Sequence, residues 1–159
     1  MVTLGVDAHK RTHTVVAVDQ HGRQLAVKTI GTNTRDHLGL LTWAEKISDG
    51  DALLWAVEDC RHLSRRLERD LLAAGQAIVR VPPKLMANAR DSARTYGKSD
   101  PIDALAVARA AQREPDLPAA RLDGLDREVR LLTDHRESLV AESCVQQSGV
   151  PTGPLMGVA

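Results

Sequence analysis

Ala52-Leu53-Leu54-Trp55-Ala56-Val57 is a run of six residues without a polar side chain, closed by Glu58. It is too short for an ordinary helix, and acidic residues bound it at both ends, so it reads as a strand. A strand with no polar face has to be covered on both sides, which places it inside a sheet with helices packed above and below. The rest of the chain must then supply those helices and the neighbouring strands.

It does both. Asn33 or Thr34 can cap a helix running to about Ile47, with Leu38, Leu41 and Ala44 or Glu45 marking its faces. A second helix spans about His62 to Ala74, carries Leu63, Leu67 and Leu71, and stops at Gly75, a residue suited to a helix C-terminus. Ahead of them, Val2 to Asp7, Thr14 to Asp19 and Gln24 to Ile30 read as strands, with Gln20-His21-Gly22 as a turn. Behind them, Ile78-Val79-Arg80-Val81 makes a fifth strand ended by Pro82-Pro83. Three strands joined by short turns form an antiparallel meander, and the later two join it through helical crossovers. The expected fold class is α/β, with a mixed five-stranded sheet followed by a C-terminal helix.

At 159 residues there is room for one domain and some excess. Aromatic residues make up 2%, so the core is aliphatic and base recognition by several stacked rings is not expected. The 21 basic and 21 acidic residues cancel, which argues against a globally basic coat but leaves room for a local patch. Cys60 and Cys144 are too few for a disulfide framework or a cysteine zinc site, and Cys60 with His62 reads as a structural pair. With no leader-like segment and no run of membrane-spanning length, the expected location is the cytoplasm.

Four acids carry the chemistry: Asp7, Glu58, Asp100 and Asp103. Asp7 and Glu58 end two strands, while Asp100 and Asp103 open a helix three residues apart and share its face. Two adjacent strand ends and one helix end can gather four carboxylates in a small volume, where they repel one another unless protons or hard cations intervene. Mg²⁺ (or Mn²⁺) prefers such oxygen donors, and paired ions of this kind serve phosphodiester chemistry. A structural role competes for the helix pair. Asp100 suits an N-cap, Pro101 the first helical position and Asp103 the dipole of the first turn. The two roles are compatible, because a carboxylate has two oxygens.

Between the last strand and that helix, Lys84, Arg90, Arg94 and Lys98 face one acid, Asp91. Arg90, Arg94 and Lys98 are four apart, so a helix would line them along one side, either as a solvated face or as a phosphate-contacting stripe that positions nucleic acid without reading its sequence.

After Pro118, Leu125, Leu132 and Leu139 recur every seven residues, with Val129 and Arg136 in the alternating seam positions and charges around them. This is a short coiled-coil pattern, or else an amphipathic helix packed on its own domain, and the coiled-coil form would make the chain a homo-oligomer through 122–142. From Ser143 charge and periodicity vanish, as in a disordered tail. The expected organisation is a catalytic-type domain over 1–117, a helix over 118–142 and a tail over 143–159.

The motifs resemble those of a known family. Gly5-Val6-Asp7-Ala8-His9-Lys10 followed by Thr12-His13-Thr14-Val15-Val16 is similar to the start of the DEDD transposases of bacterial insertion sequences, relatives of the Piv DNA invertase. Trp55-Ala56-Val57-Glu58, before a helix ending Leu72-Ala73-Ala74-Gly75, resembles the second motif of that family. Val81-Pro82-Pro83 and Lys98-Ser99-Asp100-Pro101-Ile102-Asp103-Ala104 resemble the third, K-[TS]-D-x-x-D-A. The element order resembles the ribonuclease-H-like, or RuvC-like, fold, in which the first and fourth strands are neighbours. The resemblance implies that Asp7, Glu58, Asp100 and Asp103 are the tetrad holding divalent metal. Glu58 is favoured over the adjacent Asp59. Lys10 is expected beside the tetrad, within reach of a phosphate, and His9 and His13 are read as surface or packing residues. Family members also carry a serine-bearing second domain beyond a coiled coil and act on DNA chosen by a structured guide RNA. Here Ser143 and Ser148 lack a matching context, and the abrupt change at Ser143 suggests a truncated or frameshifted copy, inactive alone. Two alternatives stand beside this reading: a self-sufficient RuvC-like nuclease or junction resolvase, and a non-enzymatic DNA-binding or oligomerisation fragment.

Overall fold

A computed structural model describes residues 1–60, 63–86 and 99–121, together with 129, 132, 133, 135, 136, 139 and 140. The expectations for His62, Arg90, Asp91, Arg94, Lys98, Leu125 and the tail from Ser143 lie outside the described residues.

Strands β1 (Val2–Ala8), β2 (Thr12–Val18) and β3 (Gln24–Gly31) form the antiparallel meander. Helix α1 (Thr34–Ser48), β4 (Leu53–Glu58), α2 (Arg65–Ala73) and β5 (Ala77–Val81) follow. The sheet order is β3-β2-β1-β4-β5, with β1–β4 and β4–β5 parallel. The chain is helical again over 83–86, and α3 (Asp100–Arg113) closes the described order of the first unit. The strand that sequence marks as fully covered, β4, indeed lies between two others, with Trp55, Ala56 and Val57 wholly inaccessible.

The period of two along each strand divides the sheet into two faces. On one, Val2, Leu4 and Val6 of β1 pack with Trp55 and Val57 of β4, and with Leu40 of α1 and Leu67 and Leu71 of α2. On the other, Val16 and Val18 of β2 meet Ala104 and Ala108 of α3, while Ala56 meets Val107, Ala110 and Ala111. The α3 side of that interface is mostly alanine because the helix lies unusually close to β1. A Cβ on Gly5 would overlap the carbonyl oxygen of Ala104 and stand 2.8 Å from the Cβ of Ala108.

Local signals set several boundaries. Asn33, not Thr34, caps α1, accepting a bond from the Asp36 amide at 2.9 Å. The turn Leu72–Ala73–Ala74 ends α2, with Gly75 at φ +76, a conformation that glycine tolerates best. Strand β2 starts at Thr12 rather than Thr14, because Thr12 and His13 continue the pairing with Gly31 and Ile30. The helix opening at Asp100 is capped by Ser99, not by Asp100 as the sequence suggests: the Ser99 backbone is extended, and its carbonyl accepts from Ile102 and Asp103. Asp100 therefore stands one position inside the helix, and its carboxylate is available for other work.

Under α1 and α2 lies a polar inclusion. His37 of α1 bonds Asp70 of α2 at 2.8 Å, and the ring of His13 from β2 stacks on His37 with centroids 5.5 Å apart. Both ring nitrogens of His13 and Nε2 of His37 are buried without a hydrogen-bond partner.

Residues 118–120 are extended, not helical. Ala119 bridges Val79 antiparallel, Arg80 N–H donates to Pro118 O, and Ala120 N–H donates to Ile78 O, so this segment covers the outer edge of β5. The first compact unit accordingly runs Met1–Leu122, beyond the boundary at 117 that sequence suggests, and the second runs Asp123–Ala159. In the second, the described residues 129, 132, 133, 135, 136, 139 and 140 are helical, and Val129, Leu132 and Leu139 are exposed.

Candidate metal centre

The helix α3 runs antiparallel to β1, held at three points. Near its C-terminal end, Gln112 reaches the Thr3 hydroxyl at 3.3 Å and the Asp19 carbonyl at 2.8 Å. At the middle, Gly5 admits the backbone of Ala104 and Ala108. Arg109 fixes the flank through a 3.0 Å bond to the Gly22 carbonyl. Asp7 lies two residues beyond Gly5 on the same face, so it meets the first turn of α3, where Asp100 and Asp103 stand. The β1–β4 register pairs Gly5 with Ala56 and Val6 with Val57. The next positions, Asp7 and Glu58, therefore share the α3 face of the sheet.

Asp7 is buried, Asp103 is buried, Glu58 is half-buried and Asp100 is exposed. Donor atoms of Asp7, His9 and Asp100 all fall within 4.8 Å of one another, the one such group among the described residues. His9 Nε2 lies 3.0 Å from Asp7 Oδ2 and 3.4 Å from Asp100 Oδ1. Glu58 and Asp103 are not in this group of three, although both have partners of their own.

Burial pushes the Asp7 carboxyl above the usual carboxylate range, and the negative charges of Asp103 and Asp100 push it the same way. His9 opposes them by its charge and its hydrogen bond without cancelling the rise. Such a group gains from any cation placed beside it. The Cys60 thiol, 4.0 Å from the Ala8 carbonyl, is pushed up to about 11 by burial first, with the negative charges of Glu58, Asp7 and Glu68 adding to the rise. The donor set is two carboxylate oxygens and one imidazole nitrogen, with two more carboxylates nearby. This composition fits a divalent cation.

The family model of the IS110-type DEDD transposases, described as transposase, matches residues 4–148. The chain belongs to this family. Among curated relatives, an uncharacterized 42 kDa protein of insertion element IS900 from Mycobacterium paratuberculosis is 30% identical over 142 residues, covering 89% of this chain and 36% of the relative. An uncharacterized 44.8 kDa protein of insertion element IS116 from Streptomyces clavuligerus is 34% identical, covering 89% of this chain and 35% of the relative. The chain thus spans about a third of the length of these relatives. The fold is shared with Thermus thermophilus RuvC. Its complex with a Holliday junction substrate superposes with a TM-score of 0.53 at 14% identity, over 76% of this chain and 99% of RuvC. RuvC alone gives 0.53 at 16% identity, over 76% and 100%.

In this DEDD domain the mixed five-stranded sheet and the RuvC-like fold are as the sequence led one to expect. A coiled coil is not among the described features, and the family match continues to residue 148, past Glu142 where the sequence changes character. Lys10 is exposed in the β1–β2 turn next to His9, and Lys84 is exposed at the start of the helical turn after β5. His13 is a packing residue on the opposite face from Asp7. His9, in sequence a weaker candidate and more a surface or packing residue, is exposed as that reading has it and also lies beside two of the carboxylates. The signal was present as parity: His9 is two residues from Asp7, so a continuing extended chain turns both to the same side.

No helix among the described residues is long and apolar enough to cross a membrane.

Proposed function

We propose that this chain is the metal-dependent, DNA-binding part of a transposase that works in DNA transposition in the bacterial cytoplasm, with Asp7, Glu58, Asp100 and Asp103 as its carboxylate ligands. The observation that carries the reading is the burial of Asp7 against the first turn of α3, within reach of Asp100 and Asp103. Carboxylates at this density repel one another, and a divalent cation is the ordinary remedy. When bound, Mg²⁺ or Mn²⁺ supplies charge stabilisation for phosphoryl oxygens. Asp7, fixed on a central strand, and Asp100 and Asp103, fixed on a helix that Gly5 holds close, keep the oxygen donors in place before an ion arrives. Glu58 approaches from the neighbouring parallel strand. Lys10 and Lys84 contact phosphates of the DNA, joined by Arg90, Arg94 and Lys98. A structured guide RNA of the element is a further partner, and the segment 122–142 brings copies of the chain together.

The reading is tested by titrating Mn²⁺ and Mg²⁺ calorimetrically into the chain and its Asp7→Asn, Glu58→Gln, Asp100→Asn and Asp103→Asn variants, and by incubating each with duplex and four-way-junction DNA. Metal binding that weakens in every variant is expected, with DNA bound but not recombined by this chain. Unchanged metal binding in all four removes the reading. Metal-dependent cleavage of the junction alone transfers the proposal to a RuvC-like resolvase.

A further inference from the structure

Resting on that metal-site reading, we propose that His9 is a nitrogen ligand of the same ion and sets its choice of metal, so that the site takes Mn²⁺ in preference to Mg²⁺. His9 lies outside the DEDD tetrad, and its position is what distinguishes it. The Nε2 atom sits between two carboxylate oxygens from different elements, 3.0 Å from Asp7 Oδ2 of β1 and 3.4 Å from Asp100 Oδ1 of α3. An octahedral ion with bonds of about 2.1 Å holds neighbouring ligand atoms about 3 Å apart. Two of the three separations are already near that spacing, and the third, between Asp7 and Asp100, lies within 4.8 Å.

The backbone supports the placement. The amide of His9 donates to the Thr12 carbonyl at 2.9 Å, which closes the β1–β2 turn and fixes the Cα from which the ring projects. The ring remains half in solvent, at 47% exposure, so an ion can reach Nε2 without unfolding anything. Nε2 and Asp7 Oδ2 are at hydrogen-bonding distance, 3.0 Å. With its single proton on Nδ1, the neutral ring would offer the Nε2 lone pair to an ion and release no proton.

The consequence is selectivity. Mg²⁺ takes oxygen donors almost exclusively and gives up water reluctantly, whereas an imidazole nitrogen favours the first-row transition ions. A purely carboxylate site discriminates little between Mg²⁺ and Mn²⁺. Exchanging one oxygen for His9 tilts it toward Mn²⁺.

The test uses the full 159-residue chain and manganese chloride. Pulsed electron paramagnetic resonance of bound Mn²⁺ reads the nuclear modulation of a directly ligated ¹⁴N, and competition with Mg²⁺ reads the ratio of the two dissociation constants. Wild type is expected to show imidazole ¹⁴N modulation. In His9→Gln the modulation should vanish while Mn²⁺ still binds through Asp7 and Asp100, and the preference for Mn²⁺ over Mg²⁺ should shrink by about tenfold. The other histidines are untouched in that variant, so a loss of modulation belongs to His9. Mn²⁺ that binds in an Asp7-dependent way without ¹⁴N modulation, or with modulation unchanged in His9→Gln, overturns the His9 assignment and leaves the carboxylate site standing. Mn²⁺ binding that is indifferent to both Asp7→Asn and Asp100→Asn overturns the carboxylate site itself, and His9 with it.

Discussion

Gly5 and Ala104 meet backbone to backbone: no side-chain carbon fits on Gly5 beneath the Ala104 carbonyl. The whole geometry of the acidic cluster depends on that contact, because it sets the distance between β1, which carries Asp7, and the helix that carries Asp100 and Asp103. Gly5→Ala is expected to push α3 outward and destabilise the fold by about 1–3 kcal/mol, the usual cost of overpacking. Urea unfolding measures the loss, and Mn²⁺ affinity should fall with it even where the fold survives. An alanine variant with wild-type stability would show that α3 has slack that the packing does not reveal.

Asp7→Asn should have opposite effects with and without metal. Chelator-treated protein loses a source of repulsion with Asp100 and Asp103, so its thermal midpoint should stay level or rise. With millimolar Mn²⁺ the wild type should gain stability by mass action, and the variant should gain far less. Equal midpoints for the two proteins at every metal concentration would exclude Asp7 as a ligand.

The His13–His37 stack makes the fold acid-sensitive. Burial first, then the neighbouring His37 and His9, push His13 down to about 4 from an ordinary 6.5. Between those values the unfolded chain binds a proton that the folded chain refuses, so stability falls as pH drops from 6.5 toward 4, by about 3 kcal/mol in all. Asp70 acts lower. Although burial raises it, bonds from His37, Arg69 and Thr34 bring it below 3.8, and its contribution disappears only as pH falls through that region. Denaturant midpoints between pH 7 and 4 should show the loss in wild type and a flatter profile in His13→Leu. Parallel profiles would rule out His13 as the origin.

DNA affinity should depend on salt, since phosphates are the expected contacts. If Lys10 and Lys84 each neutralise one phosphate, each alanine variant flattens the plot of log affinity against log salt by about one unit. Fluorescence anisotropy over a range of potassium chloride gives the slopes. Slopes identical to wild type would place the DNA elsewhere on the surface.

Val129, Leu132 and Leu139 are at least half exposed on their helix, an apolar row that a second copy can cover. Leu132→Asp is expected to shift the chain toward monomer in sedimentation equilibrium. A wild type that stays monomeric at high micromolar concentration would end the case for pairing through this face.

Much of this protein is local information. The alternation in β1 and β2, the unbroken apolar run of β4 and the turn at Gly75 follow from side-chain period and backbone sterics, so strands, order and sheet class could be read from residues in sequence. The four acids were legible for the same reason: they stand at element ends. What depended on the third dimension was the distance between elements. Nothing near Gly5 in sequence indicates that Ala104 will press against it, and Ser99 and Asp100 suit an N-cap equally well, so only the fold decides that Ser99 takes the cap while Asp100 turns to His9. The packing of 118–120 on β5 was equally invisible, because an edge strand recruits its cover through backbone bonds that leave no side-chain signature. The positions of the acids were thus written in the sequence, and the grouping of Asp7 and Asp100 with His9 was decided by how closely a glycine lets a helix approach a strand.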